Sequence, residues 1–363
     1  MNRTLAVGLL FIFFEACSDA SAPRHPSYSP PGPPPDTSVG ATPRILEIPT
    51  ADRSGTVVHP DYLRMPASWP GPARFLAITT YPKADPSREW PSLFVQDSVS
   101  TRWHLLAGTP NPLLQPPEGT IYSDPDLVFE PDSGELWMYV RLVNSVWNVL
   151  QIIKSRDGVL WSTPVDIDSA RNHGMISPAI VRRDRGEWYL WSVHADQNGC
   201  QSAGATVLER RTSDDGLHWS RPDTALIAGH PWHIDVTWVQ DRQEWWAVYV
   251  EGCLPTSVRL ATSPDGLAWT VLPSPVVTAG VIPQFNDVVY RSSMAVEGDS
   301  VRFWFSGARW DSDSVSDSGW VWHAAASVEG RADLMLRLSR APETGPQTIG
   351  PRRRRPVPYP EAP

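Results

Sequence analysis

The sequence has few cysteines: three in 363 residues. Cys17 lies in an N-terminal leader, which leaves Cys200 and Cys253 as an even pair in a chain that we expect to be exported. An even pair in an oxidising compartment predicts a disulfide bond. Two remaining thiols are too few for a cysteine-rich metal site.

Positive charge is also scarce. The chain has 31 Lys and Arg residues against 40 Asp and Glu residues, a formal net charge of −9. The basic residues cluster only in "PRRRR" at 351–355. Nucleic-acid binding requires a basic face, so we do not expect nucleic acid as a partner. We expect the protein to be a monomer.

Long apolar runs are missing apart from one near the start. "LAVGLLFIFF" follows a short basic segment and is ten residues long, whereas a membrane-spanning helix needs about 20 residues. The pattern is typical of a secretory signal peptide, predicted here over residues 1–22. "FEAC" predicts a bacterial lipoprotein lipidated at Cys17 and held at the periplasmic or outer surface. The alternative is cleavage after "ASA" at 20–22, which would give a secreted protein.

Two segments lack the apolar residues of a folded core. Residues 23–44 are rich in proline and predict an extended, disordered linker. Residues 341–363 are rich in proline and arginine and predict a disordered tail. One folded domain is therefore expected over 45–340.

Tryptophan, in contrast, is abundant, with 18 residues. Several of these follow a repeated turn: "KSRDGVLWS" at 154–162, "TSDDGLHWS" at 212–220 and "ATSPDGLAWT" at 261–270, with a weaker copy, "VQDSVSTRWH", at 95–104. Glycine tolerates the positive φ of such turns and aspartate caps nearby backbone amides. We interpret the tryptophan as a plug that seals each hairpin end against the next sheet.

Short aromatic runs such as "LWMYVRLV" and "WWAVYVEG" recur between these turns and predict strands. Four short antiparallel strands per repeat are typical of a β-propeller blade. The predicted fold is all-β, a five-bladed propeller of four-stranded blades near 55–115, 120–168, 173–228, 230–278 and 285–338. "ILEIPT" at 45–50 is expected to pair with the last blade.

Polar residues open the first strand of each predicted blade, in "HPDYL", "DPDLV", "SPAIV", "HIDVT" and "RSSMA". Alternate residues of a strand share a face, so these motifs predict two layers in the central channel. The outer layer is His59, Asp124, Ser177, His233 and Arg291, and the layer beneath it is Asp61, Asp126, Ala179, Asp235 and Ser293. Unpaired buried carboxylates are costly, which favours a functional ring. The structural alternative is that each aspartate caps a turn.

These repeats, turns and acidic strand starts resemble the five-bladed propellers of glycoside hydrolase families 32 and 43, over roughly 55–338. The resemblance implies a carbohydrate substrate, with Asp61 as base or nucleophile and Asp124 or Asp126 as an orienting group. Blade four of those families carries a glutamate acid, where this chain has His233 and Asp235. The nearest glutamate is Glu251. Related five-bladed sugar hydrolases that use histidine as the acid make His233 a candidate.

Glycoside cleavage needs a proton donor and a carboxylate that activates water or attacks carbon. Clustered carboxylates shift one another's pKa, and histidine titrates near neutrality. The predicted catalytic residues are Asp61, Asp124, Asp126, His233, Asp235 and Glu251, and the predicted sugar-binding residues are His59, Arg141, Ser177, Trp232 and Arg291. No cofactor is required for this chemistry. His59, Asp124 and His233 are an alternative divalent-metal site, for example for Ca²⁺ in the central channel.

Two other functions remain open. A non-catalytic propeller that binds carbohydrate or a surface is supported by the missing blade-four glutamate. A sialidase is suggested by the Asp-Gly-Trp turns, but sialidases have six blades and an arginine triad, and the predicted ring contains only Arg291. The leading prediction is an exported glycosidase acting on poly- or oligosaccharide.

Overall fold

The computed structural model describes residues 43–96, 102–171, 173–196, 199, 206–253, 255–298, 300–311, 320–326 and 330–331. The predicted signal peptide, Cys17, almost all of the linker, the tail and Cys200 lie outside the described residues. Lipidation and the Cys200–Cys253 bond therefore stay predictions. Among the described residues, no helix has the length and apolarity needed to cross a membrane.

The described residues form 22 β-strands, named β1 to β22 in chain order, and contain no α-helix. Four sheets, named blades 1 to 4, are each built from four consecutive antiparallel strands. Blade 1 comprises β2 (Val57–Arg64), β3 (Arg74–Thr80), β4 (Trp90–Gln96) and β5 (Trp103–His104). Blade 2 comprises β6 (Ile121–Glu130), β7 (Glu135–Val143), β8 (Trp147–Ser155) and β9 (Val165–Arg171).

Blades 3 and 4 repeat this order. Blade 3 comprises β10 (Ile176–Asp184), β11 (Glu187–His194), β12 (Val207–Ser213) and β13 (Asp223–Ala225). Blade 4 comprises β14 (Pro231–Val239), β15 (Glu244–Glu251), β16 (Ser257–Ser263) and β17 (Thr270–Val271), with β18 (Val277–Thr278) pairing beside β17 on β16. Short 3-10 turns occupy Pro82–Ala84, Pro86–Arg88, Gln240–Arg242 and Pro283–Phe285.

The remaining sheet, here called the closing sheet, is built differently. It comprises β19 (Val288–Glu297), β20 (Ser300–Trp310), β21 (Trp320–Ala326), β22 (Gly330–Arg331) and, from the other end of the chain, β1 (Arg44–Ile45). β1 pairs with β21, so a strand that overlaps the predicted segment 45–50 does join the last sheet. β22 returns to pair with β20.

The all-β propeller with four-stranded antiparallel blades is confirmed, but the predicted count of five blades is not. Four blades have the expected form, whereas the closing sheet draws on both ends of the described chain. The strands of blades 1, 3 and 4 fall within their predicted ranges, and blade 2 runs to Arg171, three residues past its predicted end. The innermost strands β2, β6, β10, β14 and β19 contact one another in a closed cycle.

The hydrophobic core lies between neighbouring sheets. Strands rich in aromatic and β-branched residues present apolar side chains to both sheet faces, which suits a sheet covered on both sides. Trp137 of blade 2 stacks on Trp188 of blade 3 with ring centroids 5.2 Å apart. Tyr62 of blade 1 stacks on Trp304 of the closing sheet at 3.7 Å. Such contacts bury large aromatic surfaces and fix the sheets around the channel.

The repeated turns act as the sequence indicates. In the first, Asp157 Oδ1 accepts hydrogen bonds from the backbone of Val159 and Leu160, each at 2.8 Å. Gly158 has φ 77°, and a Cβ there would lie 3.0 Å from the Phe75 ring of blade 1. The motif tryptophans Trp103, Trp161, Trp219 and Trp269 each pack on a different inter-sheet core cluster. Their role is structural.

Candidate active site

A β-bulge near the start of every innermost strand builds the site. The pairing register shifts at Val58/Asp61, Ser123/Asp126, Ile176/Ala179, Pro231/His233 and Val289/Ser292. His59, Asp124 and Ser177 sit at their bulges with φ near +50°: 54°, 53° and 51°. This conformation is uncommon outside glycine, and it is typical of functional positions held by their surroundings.

The upper layer brings His59, Asp124 and His233 together at the channel centre. Their ligand atoms all lie within 4.8 Å of one another. Asp124 Oδ1 is 3.7 Å from His59 Nε2 and 3.5 Å from His233 Nδ1. These separations are too long for good hydrogen bonds. All three residues are buried.

Two arginines fix the Asp124 carboxylate. Arg141 Nη2 lies 2.7 Å from Oδ2, and Arg291 Nη1 donates to Oδ1 at 2.8 Å. The backbone N–H of Ser177 also donates to Oδ2, at 3.2 Å. A carboxylate has about four lone-pair sites. Oδ1 therefore keeps a lone pair for a ligand between the two imidazoles.

Electrostatics in this layer keep the acid ionised and the imidazoles neutral. Burial alone would raise the pKa of Asp124, but the Arg141 and Arg291 guanidinium groups hold that pKa well below its usual range. Burial lowers the pKa of His59 well below its usual value and also lowers that of His233, in each case against the attraction of Asp124. Neutral imidazole is the form that binds metal ions.

The rings are oriented from behind. His59 Nδ1 forms a hydrogen bond with Thr79 Oγ1 at 2.8 Å, which directs Nε2 toward Asp124. Neither ring nitrogen of His233 has a hydrogen-bond partner, although both nitrogens are buried. The Tyr290 ring packs on His233 at 4.5 Å and on His59 at 5.8 Å between centroids. Trp232 Nε1 donates to the Tyr290 hydroxyl at 3.3 Å.

Glu89 is a site residue that the sequence did not reveal. It is buried where β4 begins, with Oε2 3.7 Å from His59 Nδ1. That oxygen has no hydrogen-bond partner. Burial raises the pKa of Glu89 to about 8, against an opposing hydrogen bond from Ser123. This carboxyl therefore carries a proton at neutral pH.

The layer beneath joins neighbouring sheets. Each polar side chain there accepts a hydrogen bond from a backbone N–H of the next innermost strand around the ring. The bonds are Leu127 N to Asp61 at 2.7 Å, Ile180 N to Asp126 at 3.3 Å, Met294 N to Asp235 at 2.9 Å and Tyr62 N to Ser293 at 3.1 Å. Ala179 has no polar side chain and breaks the pattern. We call these contacts the inter-blade staples. The aspartates therefore bond to neighbouring sheets rather than capping turns.

Asp61, Asp126 and Asp235 also form a compact carboxylate trio, with oxygens within 4.8 Å of one another. Burial raises the pKa of Asp61 and of Asp126 well above the usual value, and the negative charge of their neighbours adds to this. Burial raises the pKa of Asp235 to about 6, although the backbone of Met294 opposes the shift. Like charges at this distance cannot all ionise near neutrality.

The predicted residues are thus sorted by the structure. The upper layer contains His59, Asp124, Arg141, Ser177, His233 and Arg291. The layer below it contains Asp61, Asp126, Asp235 and Ser293. Trp232 adjoins through Tyr290. Glu251 lies apart, half-exposed and 3.5 Å from Arg259 Nε. Tyr290 precedes Arg291 in the sequence but was not singled out because no pattern marks it.

The upper layer fits a divalent cation. Metal–ligand bonds of about 2.1 Å in a tetrahedral arrangement place neighbouring ligand atoms about 3.4 Å apart, close to the 3.5 and 3.7 Å measured around Asp124 Oδ1. Two imidazoles and one carboxylate are a common donor set for a catalytic metal. The unpartnered Nδ1 of His233 would gain a partner.

Carbohydrate-active propellers are among the known proteins similar to this chain. No protein-family model matches the chain. The chain is 27% identical over 332 residues to an A type blood N-acetyl-alpha-D-galactosamine deacetylase of Flavonifractor plautii, covering 74% of this chain and 42% of that protein. It thus spans less than half the length of that relative.

Solved structures agree on the fold. An N-acetylgalactosamine deacetylase from F. plautii, crystallised with blood group B trisaccharide, superposes with a TM-score of 0.71 at 22% identity, covering 82% of this chain and 96% of that chain. A thermostable family-43 glycoside hydrolase gives 0.54 at 13% identity, covering 85% and 100%. The fold is that of these carbohydrate-active propellers, and the sequence is similar to that of a carbohydrate deacetylase. The resemblance to family 32 is not confirmed.

Proposed function

We propose that this protein is a hydrolase that removes the acetyl group from an N-acetylated sugar. The observation that carries the proposal is the buried His233, whose Nδ1 has no hydrogen-bond partner and lies 3.5 Å from an arginine-held Asp124 that also faces His59. This arrangement supports metal-assisted hydrolysis better than it supports the carboxylate pair of a glycosidase. The homology to a deacetylase supports the same reaction.

His59, Asp124 and His233 would hold the cation. Two imidazole nitrogens favour a transition metal such as Zn²⁺ over the Ca²⁺ suggested by the sequence, because Ca²⁺ prefers oxygen ligands. When bound, such a cation supplies a Lewis acid at the channel mouth. Arg141 and Arg291 keep the Asp124 carboxylate ionised and fixed.

Glu89 is the proposed proton carrier. It is buried beside His59, and its Oε2 is free of hydrogen-bond partners. Amide hydrolysis adds water to the acetyl carbon, breaks the C–N bond and releases acetate, while the departing nitrogen gains a proton. We assign that proton to the protonated Glu89, which regains one from the attacking water. Tyr290 and Trp232 form an aromatic edge above the histidines, suited to the apolar face of a sugar ring.

A direct test measures acetate release from the A-type blood-group trisaccharide by the purified domain, with and without added Zn²⁺ or Mn²⁺. We expect metal-dependent release from the natural protein, and none from His233→Ala. The matched control is His218→Ala, because the His218 side chain is 87% exposed at a turn away from the channel. Release that persists after complete chelation would contradict the metal-assisted reaction.

A glycosidase is the second candidate, because the carboxylate trio offers groups of different proton affinity. Asp235 has its pKa raised to about 6, and cleavage of a glycosidic bond uses one protonated and one ionised carboxyl. Reducing sugar without acetate would support this reaction. Binding without either product would support the non-catalytic carbohydrate-binding alternative.

The cellular setting is proposed on the sequence alone. We propose an exported, lipid-anchored protein with Cys17 lipidated and Cys200 bonded to Cys253. Fractionation of Cys17→Ser tests the anchor, because loss of membrane association is expected with the domain intact. We also propose that the closing sheet completes the ring as a fifth blade, supported by the contacts of β19 with β2 and β14.

A further inference from the structure

A surface tryptophan lies on blade 2 outside the central site. Trp147 opens β8 and is 41% exposed, and it belongs to none of the core clusters of the described residues. The turn before it is specifically shaped: Asn144 Oδ1 accepts hydrogen bonds from the backbone of Val146 and Trp147, both at 2.8 Å. The sequence "NSVW" therefore holds the indole outward rather than burying it.

The indole lines a cavity of about 340 Å³ together with polar groups. The lining includes Asn144, Trp147, Val149, Asp166, Asp168 and Ser169. Asp166 Oδ1 accepts a hydrogen bond from Gln151 at 2.6 Å, and Asp168 Oδ2 lies 3.7 Å from the buried Arg211. Asp166 is thus fixed in direction and keeps lone pairs for another donor. Asp168 pairs with Leu150 in the strand register, so its side chain lies on the sheet face opposite Trp147 and faces blade 3.

The cavity shares a rim with the central site. Arg141, which contacts Asp124, is three residues before Asn144 on the same strand end. On the other side, Trp147 pairs with Arg171 at the end of β9, and the Arg171 guanidinium lies over one face of the indole, 5.4 Å from the ring centre. The other face is the one proposed for a sugar. From Arg171 the chain leads to Ser177 in the upper layer. β8 is two strands outward from β6, roughly 10 Å at ordinary strand spacing. One glycan chain can span that distance.

We propose that this cavity is a second sugar subsite, so that the substrate is an oligosaccharide rather than a monosaccharide. The inference rests on the proposed function and deepens it. Trp147 stacks on the apolar face of a sugar residue, and Asp166 and Asn144 form hydrogen bonds with its hydroxyl groups.

Calorimetry on the full domain with two probes tests the subsite: N-acetylgalactosamine and the A-type blood-group trisaccharide. For Trp147→Ala we expect about a fivefold to tenfold loss of affinity for the trisaccharide, from the worth of aromatic stacking, and unchanged affinity for the monosaccharide. Trp147→Phe should restore most of the loss. Leu160→Ala, at an exposed position on the opposite end of blade 2, is the matched control and should change neither.

The outcomes separate the two proposals. Trisaccharide turnover and affinity that are equal in natural protein and Trp147→Ala would overturn the subsite and leave the deacetylase standing. Equal losses for both sugars would also overturn the subsite, because they indicate a change at the central site. If the natural protein binds neither sugar, the proposed function fails and the subsite fails with it.

Discussion

Asp124 holds more of the site together than any other residue described. It faces two histidines, binds two arginines and accepts a backbone N–H from blade 3. Its partner Arg291 is 1% exposed, so the guanidinium has no access to water as a substitute partner. The residues of this layer could be predicted from the sequence, because the polar residues that open the innermost strands do converge in the central channel.

Replacing Asp124 tests that dependence. Asp124→Asn removes the negative charge and leaves the buried Arg291 cation without its counter-ion. We expect the free energy of unfolding to fall by about 3–5 kcal/mol, the usual cost of breaking a buried ion pair. Urea unfolding measures it. Asp311→Asn, in an exposed pair with Arg309, is the control and should cost under about 1 kcal/mol.

Glu89 makes a separate prediction for catalysis. Glu89→Gln keeps the size of the side chain but cannot exchange a proton. If Glu89 delivers the proton, kcat for acetate release should fall by about 10²–10⁴-fold, while KM and the stoichiometry of bound Zn²⁺ stay unchanged. Glu187→Gln, at an exposed ion pair with Arg183, is the control. A loss of bound metal in Glu89→Gln would instead make Glu89 a positioning residue.

At the scale of elements, the repeated turns and aromatic strands could be predicted because their signals are local. Ser155, Asp157 and Gly158 fix one turn by their own hydrogen bonds and φ angle. The positive φ of His59 could not be predicted, because contacts between sheets hold it. Glu89 follows a 3-10 turn with no motif around it. The sequence predicted that the segment beginning at Ile45 joins the last sheet, but not the register in which Arg44 pairs with Ala326.

The inter-blade staples predict a contrast between two substitutions of one residue. Asp126→Asn keeps an oxygen for the Ile180 N–H and removes one of three crowded ionisable carboxyl groups, so stability at pH 8 should equal or exceed that of the natural protein. Asp126→Ala leaves the N–H unsatisfied and should cost about 1–3 kcal/mol. Urea unfolding at pH 8 compares them. Equal losses for both variants would mean that the carboxylate charge itself is needed.

For the whole molecule, the closed ring places ionisable groups in the centre of the structure, where folding changes their proton affinity. Asp61, Asp126, Asp235 and Glu89 bind protons more tightly in the folded state. His59 and His233 bind them less tightly. Below about pH 6.5 the two sets change stability with pH in opposite directions, because histidine in the unfolded chain becomes protonated there. Above that pH both histidines are neutral in either state.

Stability should therefore fall as the pH rises from 7 to 8. The pKa of Glu89 is raised from 4.5 to about 8, so in this range the folded protein holds a proton that the unfolded chain has lost. Folding then takes up a proton. The contribution of Glu89 to the free energy of unfolding is complete below the pKa of the unfolded chain and is lost as the pH rises toward the pKa of the folded protein. One such group sets a slope of at most about 1.4 kcal/mol per pH unit. Urea unfolding of the metal-free protein should show this decline in the natural chain and a shallower decline in Glu89→Gln. Equal slopes in the two proteins would mean that another group holds the proton, and the carboxylate trio would be the next candidate.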